Sequence, residues 1–98
     1  MGTSGVTVFG EAPVARFARK HPSSRRPLQR FLEICREAAW PQFTAVKDTF
    51  VAADYVSGRV VFNIGGNKYR VIASVDFEEQ ILVVDRILTH EEYDREVI

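Results

Sequence analysis

The sequence predicts an α+β fold, in which a small antiparallel sheet carries two N-terminal helices on one face and a short helix closes the chain. Apolar residues recur at helical spacing within the first forty residues. β-Branched and aromatic residues dominate residues 59–88, and a Gly-Gly pair divides them as a turn would. Helices and strands that are separated along the chain are typical of the α+β class.

The length and composition suggest one domain over residues 1–98, with residues 1–5 as a flexible leader. The hydrophobic content of 46% and the charged content of 27% are those of a globular protein. No apolar run approaches the roughly 18–20 residues of a membrane span, and the first ten residues lack the features of a signal peptide. We therefore expect a cytoplasmic protein with no membrane partner.

The charge is divided unevenly, although the formal net charge is zero. Residues 1–49 carry a net charge of +4, and residues 50–98 carry a net charge of −4. The basic excess is densest from Arg16 to Arg36, where seven Lys and Arg residues accompany Glu33 alone. This asymmetry is compatible with a polyanion on one side and a basic partner on the other, or with solvated helix faces.

The sequence offers few ligands for a metal ion, and we expect neither a metal nor another cofactor. The single cysteine, Cys35, excludes an intrachain disulfide, and His21 and His90 are the only histidines. Cys35 falls on the apolar stripe of a predicted helix, which favours a buried structural thiol over a nucleophile. His21 sits at a predicted helix end and is expected to be structural or exposed. No Walker loop, zinc pattern or nucleophile elbow is present.

Two helices are predicted before residue 41. Pro13 suits the first turn of the first helix, and Pro22 closes it. Ser23 or Ser24 is a natural N-cap for the second helix. Its apolar stripe repeats at helical spacing and comprises Leu28, Phe31, Leu32 and Cys35. Residues 42–49 fit either a short helix or an irregular linker.

The strands follow, after an edge strand predicted at residues 6–9. Residues 50–56 contain a short extended segment, and residues 59–64, 68–77 and 81–88 form the main strands. A two-residue turn at Gly65-Gly66 joins the first two main strands, because glycine adopts the positive φ that such turns require. In residues 68–77 the apolar side chains alternate onto one face, so that face should meet the helices. Thr89 and Glu92 form a capping box for a last helix.

Arg70 and Arg86 lie within apolar strands, where an unpaired guanidinium group is costly to bury. Adjacent antiparallel strands can place both on one exposed, polar sheet face, with Lys68 nearby. Two guanidinium groups there would suit a phosphate or the charge that develops at phosphorus. The alternative is a pair of salt bridges, in which Arg86 binds Asp76 or Asp85.

His90 opens the last helix, and Tyr93 follows on the same face. Near two arginines, this pair could transfer protons at a phosphodiester. A His that caps the helix and a Tyr that packs the sheet edge explain the spacing equally. Asn63 in mid-strand and Asn67 near the turn are further polar groups, and turn geometry is a sufficient reason for Asn67.

These residues resemble the HigB-type toxins of type II toxin–antitoxin modules. The similarity is carried by the run VFNIGGNKYRVI at residues 61–72 and by Thr89-His90-x-x-Tyr93-Asp94. It extends back to Trp40, Val46-Lys47, Phe50 and residues 53–56, so that it covers about residues 6–95.

The resemblance implies a RelE/ParE-like fold and an mRNA interferase that needs no metal. In this chemistry the ribose 2′-OH attacks the adjacent phosphate, in many members on the ribosome. Arg70 and Arg86 would hold the scissile phosphate, His90 would transfer a proton, and Tyr93 would assist or stack on a base. Supporting RNA contacts would come from Asn63, Lys68 and Lys47. The implied partners are mRNA, the ribosome and a HigA-type helix-turn-helix antitoxin.

Two other functions remain open from the sequence. The same basic helices and sheet arginines could form a non-catalytic module that binds RNA or a protein. The scaffold could also be a ParE-like toxin that poisons gyrase, although His90 and Tyr93 beside Arg86 argue against it.

Overall fold

The computed structural model describes residues 5–96; residues 1–4, which hold most of the predicted leader, and residues 97–98 lie outside them. The α+β prediction is confirmed, with helices on one face of a five-stranded sheet and a short C-terminal helix. No helix between residues 5 and 96 is long and apolar enough to span a membrane. The elements in chain order are β1 (Thr7–Phe9), α1 (Glu11–Lys20), a 3-10 turn (Pro22–Ser24), α2 (Arg25–Glu37), α3 (Phe43–Thr49), β2 (Asp54–Val56), β3 (Arg59–Ile64), β4 (Tyr69–Asp76), β5 (Ile81–Thr89) and α4 (His90–Arg95).

The strand order in the sheet is β1-β5-β4-β3-β2. Strands β2 to β5 pair antiparallel, as predicted, but β1 pairs parallel to β5 and makes the sheet mixed. No hairpin constrains the direction of β1, because three α-helices lie between it and the other strands. As predicted, β1 is an edge strand. It covers only Ile81–Val83 of β5, so no strand from residues 5–96 lies beside the rest of that edge.

The turn between β3 and β4 has four residues and not the predicted two. Ile64 pairs with Tyr69, and the N–H of Lys68 donates to the carbonyl of Gly65 at 3.3 Å. Gly65, Gly66 and also Asn67 have positive φ values of 64°, 64° and 78°. The longer turn therefore starts β4 at Tyr69 and leaves Lys68 outside the strand.

The helix face of the sheet holds the core. Helix α2 buries its predicted apolar stripe there, and the ring of Phe31 packs against that of Phe62 on β3 at 4.8 Å between centroids. Residues 42–49, left open between helix and linker, contain α3, which buries Val46 against the same core. The extended segment after α3 is shorter than predicted and comprises only β2.

Helix α4 covers one end of the opposite, polar face. The predicted capping box is present: the N–H of Glu92 donates to Thr89 Oγ1 at 3.1 Å, and the N–H of Thr89 donates to Glu92 Oε1 at 2.9 Å. The N–H of His90 donates to the carbonyl of Lys68 at 2.8 Å, which ties α4 to the β3–β4 turn. This contact brings the start of α4 beside the start of β4.

Candidate active site

Arg70 is the centre of a polar cluster at the turn end of the sheet. It pairs with Asn63 on β3 and with Leu88 on β5, and it projects from the polar face as predicted. Its Nη1 donates to the carbonyls of Asn67 at 3.1 Å and Tyr69 at 3.3 Å. The sequence predicts an exposed sheet face here, and that prediction is wrong for Arg70, which is only 7% exposed. The residue is covered because α4 folds back over this end of the face.

His90 accepts a hydrogen bond from the second terminal nitrogen of the same guanidinium group. Arg70 Nη2 lies 2.8 Å from His90 Nδ1. Because a guanidinium group can only donate, Nδ1 must be the acceptor, and the proton of a neutral imidazole is then on Nε2. His90 Nε2 lies 3.2 Å from Asp94 Oδ2, one helical turn further along α4. The imidazole is therefore oriented from both sides.

Asp94 is a site residue that sequence reasoning missed. Its spacing of four residues from His90 is a sufficient signal, because side chains at i and i+4 meet on a helix. Asp94 also belongs to the Thr89-His90-x-x-Tyr93-Asp94 pattern, in which only the histidine and the tyrosine are predicted to be site residues.

Tyr93 supplies the third group around Arg70. The Cζ atom of Arg70 lies 5.6 Å from the centroid of the Tyr93 ring, within the range of a cation–π contact. Tyr93 is half-buried, so part of its ring remains accessible beside the guanidinium group. Helix α4 thus contributes an imidazole and a phenol to one arginine of β4.

Arg86 lies on the same face but outside the hydrogen-bonded cluster. It pairs with Ile72, one pleat away from Arg70. Its Nη1 binds Glu96 Oε1 at 2.7 Å, so the predicted alternative partners Asp76 and Asp85 are both wrong.

A β-bulge places Asp85 on the polar face beside Arg86, but the carboxylate of Asp85 is bound by other residues. Ile72 pairs with Arg86 and Ala73 pairs with Val84, so Asp85 is an extra residue in β5. The carboxylate of Asp85 accepts hydrogen bonds at 2.8 Å from Arg59 Nε and from the hydroxyl of Ser74. Its charge is therefore directed at β3 and β4 and away from its sequence neighbour.

The three supporting candidates differ in position. Asn63 Nδ2 donates to Asn67 Oδ1 at 3.3 Å, next to Arg70. Lys68 is exposed at the end of the turn, where its carbonyl accepts from His90. Lys47 is exposed in the last turn of α3, and within residues 5–96 no hydrogen bond or ion pair joins it to the cluster.

The remaining reactive side chains lie elsewhere. His21 is half-buried with its ring 4.4 Å from that of Phe17, which agrees with a structural role. Cys35 is fully buried, as predicted, and burial raises the pKa of its thiol to about 12. Among the described residues, no three His, Cys, Asp or Glu side chains are grouped so that they could hold a metal ion.

The cluster has the groups that phosphodiester chemistry requires. Guanidinium groups bind phosphate oxygens through two parallel N–H donors. An imidazole with a free ring nitrogen can accept or return a proton. Arg70, Arg86 and His90 present both kinds of group on one sheet face, beside an accessible aromatic ring.

Comparison with protein families gives a match over residues 24–96. The matched family is described as HigB toxin, the RelE-like toxic component of a toxin–antitoxin system. The match covers α2 and everything after it, which includes the whole polar cluster.

Individual relatives agree with this match. The chain is 32% identical over 80 residues to the mRNA interferase toxin HigB of Escherichia coli (strain K12), which covers 79% of this chain and 77% of the relative. It is 29% identical over 91 residues to the mRNA interferase HigB of Escherichia coli O6:H1, covering 90% and 88% of the two chains.

A similar fold occurs in the crystal structure of the toxin–antitoxin complex RelBE2 from Mycobacterium tuberculosis. The TM-score is 0.54 at 18% identity, and the superposition covers 88% of this chain and 99% of the other. At this identity the likeness concerns the fold alone.

Proposed function

The chain belongs to the HigB family of RelE-like toxins, and from that premise we propose that it is an mRNA interferase that acts in the cytoplasm on translated messages. The curated relatives carry the name mRNA interferase HigB. The observation that carries the proposal is the contact of 2.8 Å between Arg70 and His90 on the polar face. It joins a phosphate-binding group to a proton-transferring group.

The proposed reaction is attack of a ribose 2′-OH on the adjacent phosphorus, which breaks the bond to the 5′-oxygen. The products are a 2′,3′-cyclic phosphate and a free 5′-OH, and no metal ion takes part. Arg70 and Arg86 bind the phosphate oxygens and stabilise the charge that develops on them. RNA is required because DNA lacks the nucleophile.

His90 is the proposed proton acceptor. In the free protein, its Nδ1 lone pair is occupied by Arg70. A phosphate that takes up the Arg70 donors releases this lone pair, which is then free to accept the proton of the 2′-OH. The departing 5′-oxygen takes a proton in turn, and the imidazolium can supply it. Substrate binding thus makes Nδ1 of His90 available as a base next to the 2′-OH.

The other residues have supporting roles in this proposal. Tyr93 holds the guanidinium group through its ring and offers the accessible part of the ring to a base. Asn63 and Lys68 lie at the same end of the sheet and would contact the RNA. Lys47 would contribute only to RNA that extends as far as α3.

The chemistry can be tested on a message that the purified protein cuts on translating ribosomes. A single 2′-deoxy substitution at the cleaved nucleotide should abolish the cut, and the downstream fragment should accept a kinase-transferred phosphate without prior phosphatase treatment. Dialysis of the protein against a chelator, before it is returned to the ribosome buffer, should leave the rate unchanged. Cleavage that persists at the deoxy position would contradict the mechanism.

The proposed partner is a HigA-type helix-turn-helix antitoxin. The family consists of toxic components of toxin–antitoxin systems, and the structural neighbour was solved with an antitoxin. Co-expression of this chain with the product of the adjacent gene should restore growth and give a complex that co-purifies. A neighbouring product that neither restores growth nor binds would exclude it as the partner.

A further inference from the structure

A groove runs between α1 and the open edge of β5, and it is separate from the polar cluster. The cavity has a volume of about 670 Å³, and its walls include Arg16, Arg19 and Lys20 from α1 and Arg86 from β5. The groove exists because β1 covers only the first three residues of β5. We call it the α1–β5 groove.

Gly10 determines how closely α1 follows this edge. It joins β1 to α1 at a φ of 128°, and a Cβ atom built there would lie 2.6 Å from Val84 Cβ. Only glycine allows this approach and this backbone angle. The chain therefore turns directly against β5 and lays the basic side of α1 along the strand.

The cations on the α1 wall have no counterions of their own. Within residues 5–96, Arg16, Arg19 and Lys20 make no ion pair, and all three are exposed. The one carboxylate in the groove, that of Asp85, is already bound by Arg59 at 2.8 Å. The groove thus keeps a positive field.

The basic region of residues 16–36 is therefore divided by the fold. On α2, Arg30 pairs with Glu33 at 3.4 Å, and Arg36 pairs with Glu11 of α1 at 3.7 Å. Arg25 and Arg26 of α2 make no ion pair within residues 5–96, but they do not line the groove. The unpaired α1 cations do line it, beside Arg86 with its partner Glu96, so the groove is the candidate polyanion surface.

The groove is continuous with the polar face of the sheet. Arg86 belongs to both, and Leu88, which also lines the groove, pairs with Arg70. Its lining also includes the half-buried side chains of Pro13 and Phe17. A positively charged groove that contains an aromatic side chain is typical of sites for single-stranded nucleic acid.

We propose that the α1–β5 groove binds the segment of messenger RNA that flanks the scissile phosphate. This inference rests on the proposed function and adds a location for the substrate strand. Arg16, Arg19 and Lys20 bind successive phosphates, and Arg86 passes the strand on to Arg70. The alternative occupants, an acidic antitoxin segment above all, are outcomes of the test below.

The test uses the full chain and a 12-nucleotide RNA with the sequence of a cleaved site and 2′-O-methyl groups throughout. This probe cannot be cut, so binding is measured apart from catalysis. The groove variant is R16A/R19A/K20A. The matched control, R26A/R30A/R36A, removes the same charge from exposed positions of α2. Fluorescence anisotropy gives the association constant between 50 mM and 1 M salt, and thermal melting checks that each variant is folded.

Each phosphate contact contributes about 0.7 to the slope of the logarithm of the association constant against the logarithm of salt concentration for single strands. Loss of three contacts should therefore lower the slope by about 2, which corresponds to roughly 100-fold weaker binding at 0.1 M salt. The control should keep the parent slope.

Three results would overturn the inference. The groove variant could retain the parent slope, both variants could lose the same amount, or the parent could fail to bind the probe at low salt. Loss of antitoxin binding with RNA binding intact would assign the groove to the antitoxin. A parent that binds the probe but never cuts the unmodified message on ribosomes would instead contradict the proposed function.

Discussion

Replacing Arg70 by lysine keeps a positive charge on the polar face but removes the planar guanidinium group, the fork, with its two terminal nitrogens. In the parent, the two terminal nitrogens make three hydrogen bonds, to the carbonyls of Asn67 and Tyr69 and to His90 Nδ1. The single ammonium group of lysine cannot reach all three positions at once. Loss of one donor to a developing charge costs about 2.7–4 kcal/mol of transition-state stabilisation, or about 10²–10³ in rate.

We therefore expect Arg70→Lys to cleave about 100-fold more slowly and Arg70→Ala about 1,000-fold more slowly. Arg70→Ala also leaves buried acceptors without a charged donor, at a cost of about 2 kcal/mol. For a domain of this size, the melting temperature should then fall by roughly 10 °C.

Initial rates of message cleavage, with each protein first checked by thermal melting, measure both effects. Arg59→Lys is the matched control, because Arg59 lies on the same sheet face and its ion-pair partner within residues 5–96 is Asp85. It should keep the parent rate. An Arg70→Lys protein that cleaves within threefold of the parent would refute the idea that the fork binds the phosphate.

Three further predictions concern other parts of the chain. Gly65→Ala should destabilise the fold more than Gly66→Ala in urea unfolding, since both have a φ of 64° but only the added Cβ at Gly65 would meet a side chain, 2.8 Å away; equal losses would refute this. Asp94→Asn should lower the cleavage rate about tenfold, as part of the contribution of acid–base catalysis, and nitrogen NMR should show a larger share of the other His90 tautomer; an unchanged tautomer ratio would exclude a positioning role. Cys35, whose thiol pKa is raised to about 12 by burial, should resist iodoacetamide at pH 8.5 until the protein is unfolded; rapid labelling of the native protein would contradict its burial.

Local sequence patterns were sufficient for most of the fold. Proline positions marked where α1 begins and ends, and alternation in residues 68–77 identified the helix face of β4. The direction of β1 and the bulge at Asp85 were not predictable in this way. Both depend on pairing between segments distant in sequence, and a strand pattern of three residues is equally compatible with either direction.

The sequence predicted most residues of the candidate site, but it did not predict how their side chains contact one another. The sequence placed Arg70 on the polar face, but only the fold shows that α4 buries it against His90 and Tyr93. The pairing of Arg86 with Glu96 could not be foreseen, because it depends on where α4 ends above the sheet. Asp94 could have been found from its helical spacing alone.

In the proposed mechanism, the cluster of Arg70 and His90 cuts messenger RNA. Primer extension on messages from cells that briefly express the parent chain or His90→Ala tests it most directly. We predict discrete new 5′ ends with the parent and none with the variant, at equal amounts of folded protein. New ends that persist in the variant would contradict the role of His90. Growth arrest by the parent without any new ends would contradict RNA cleavage itself.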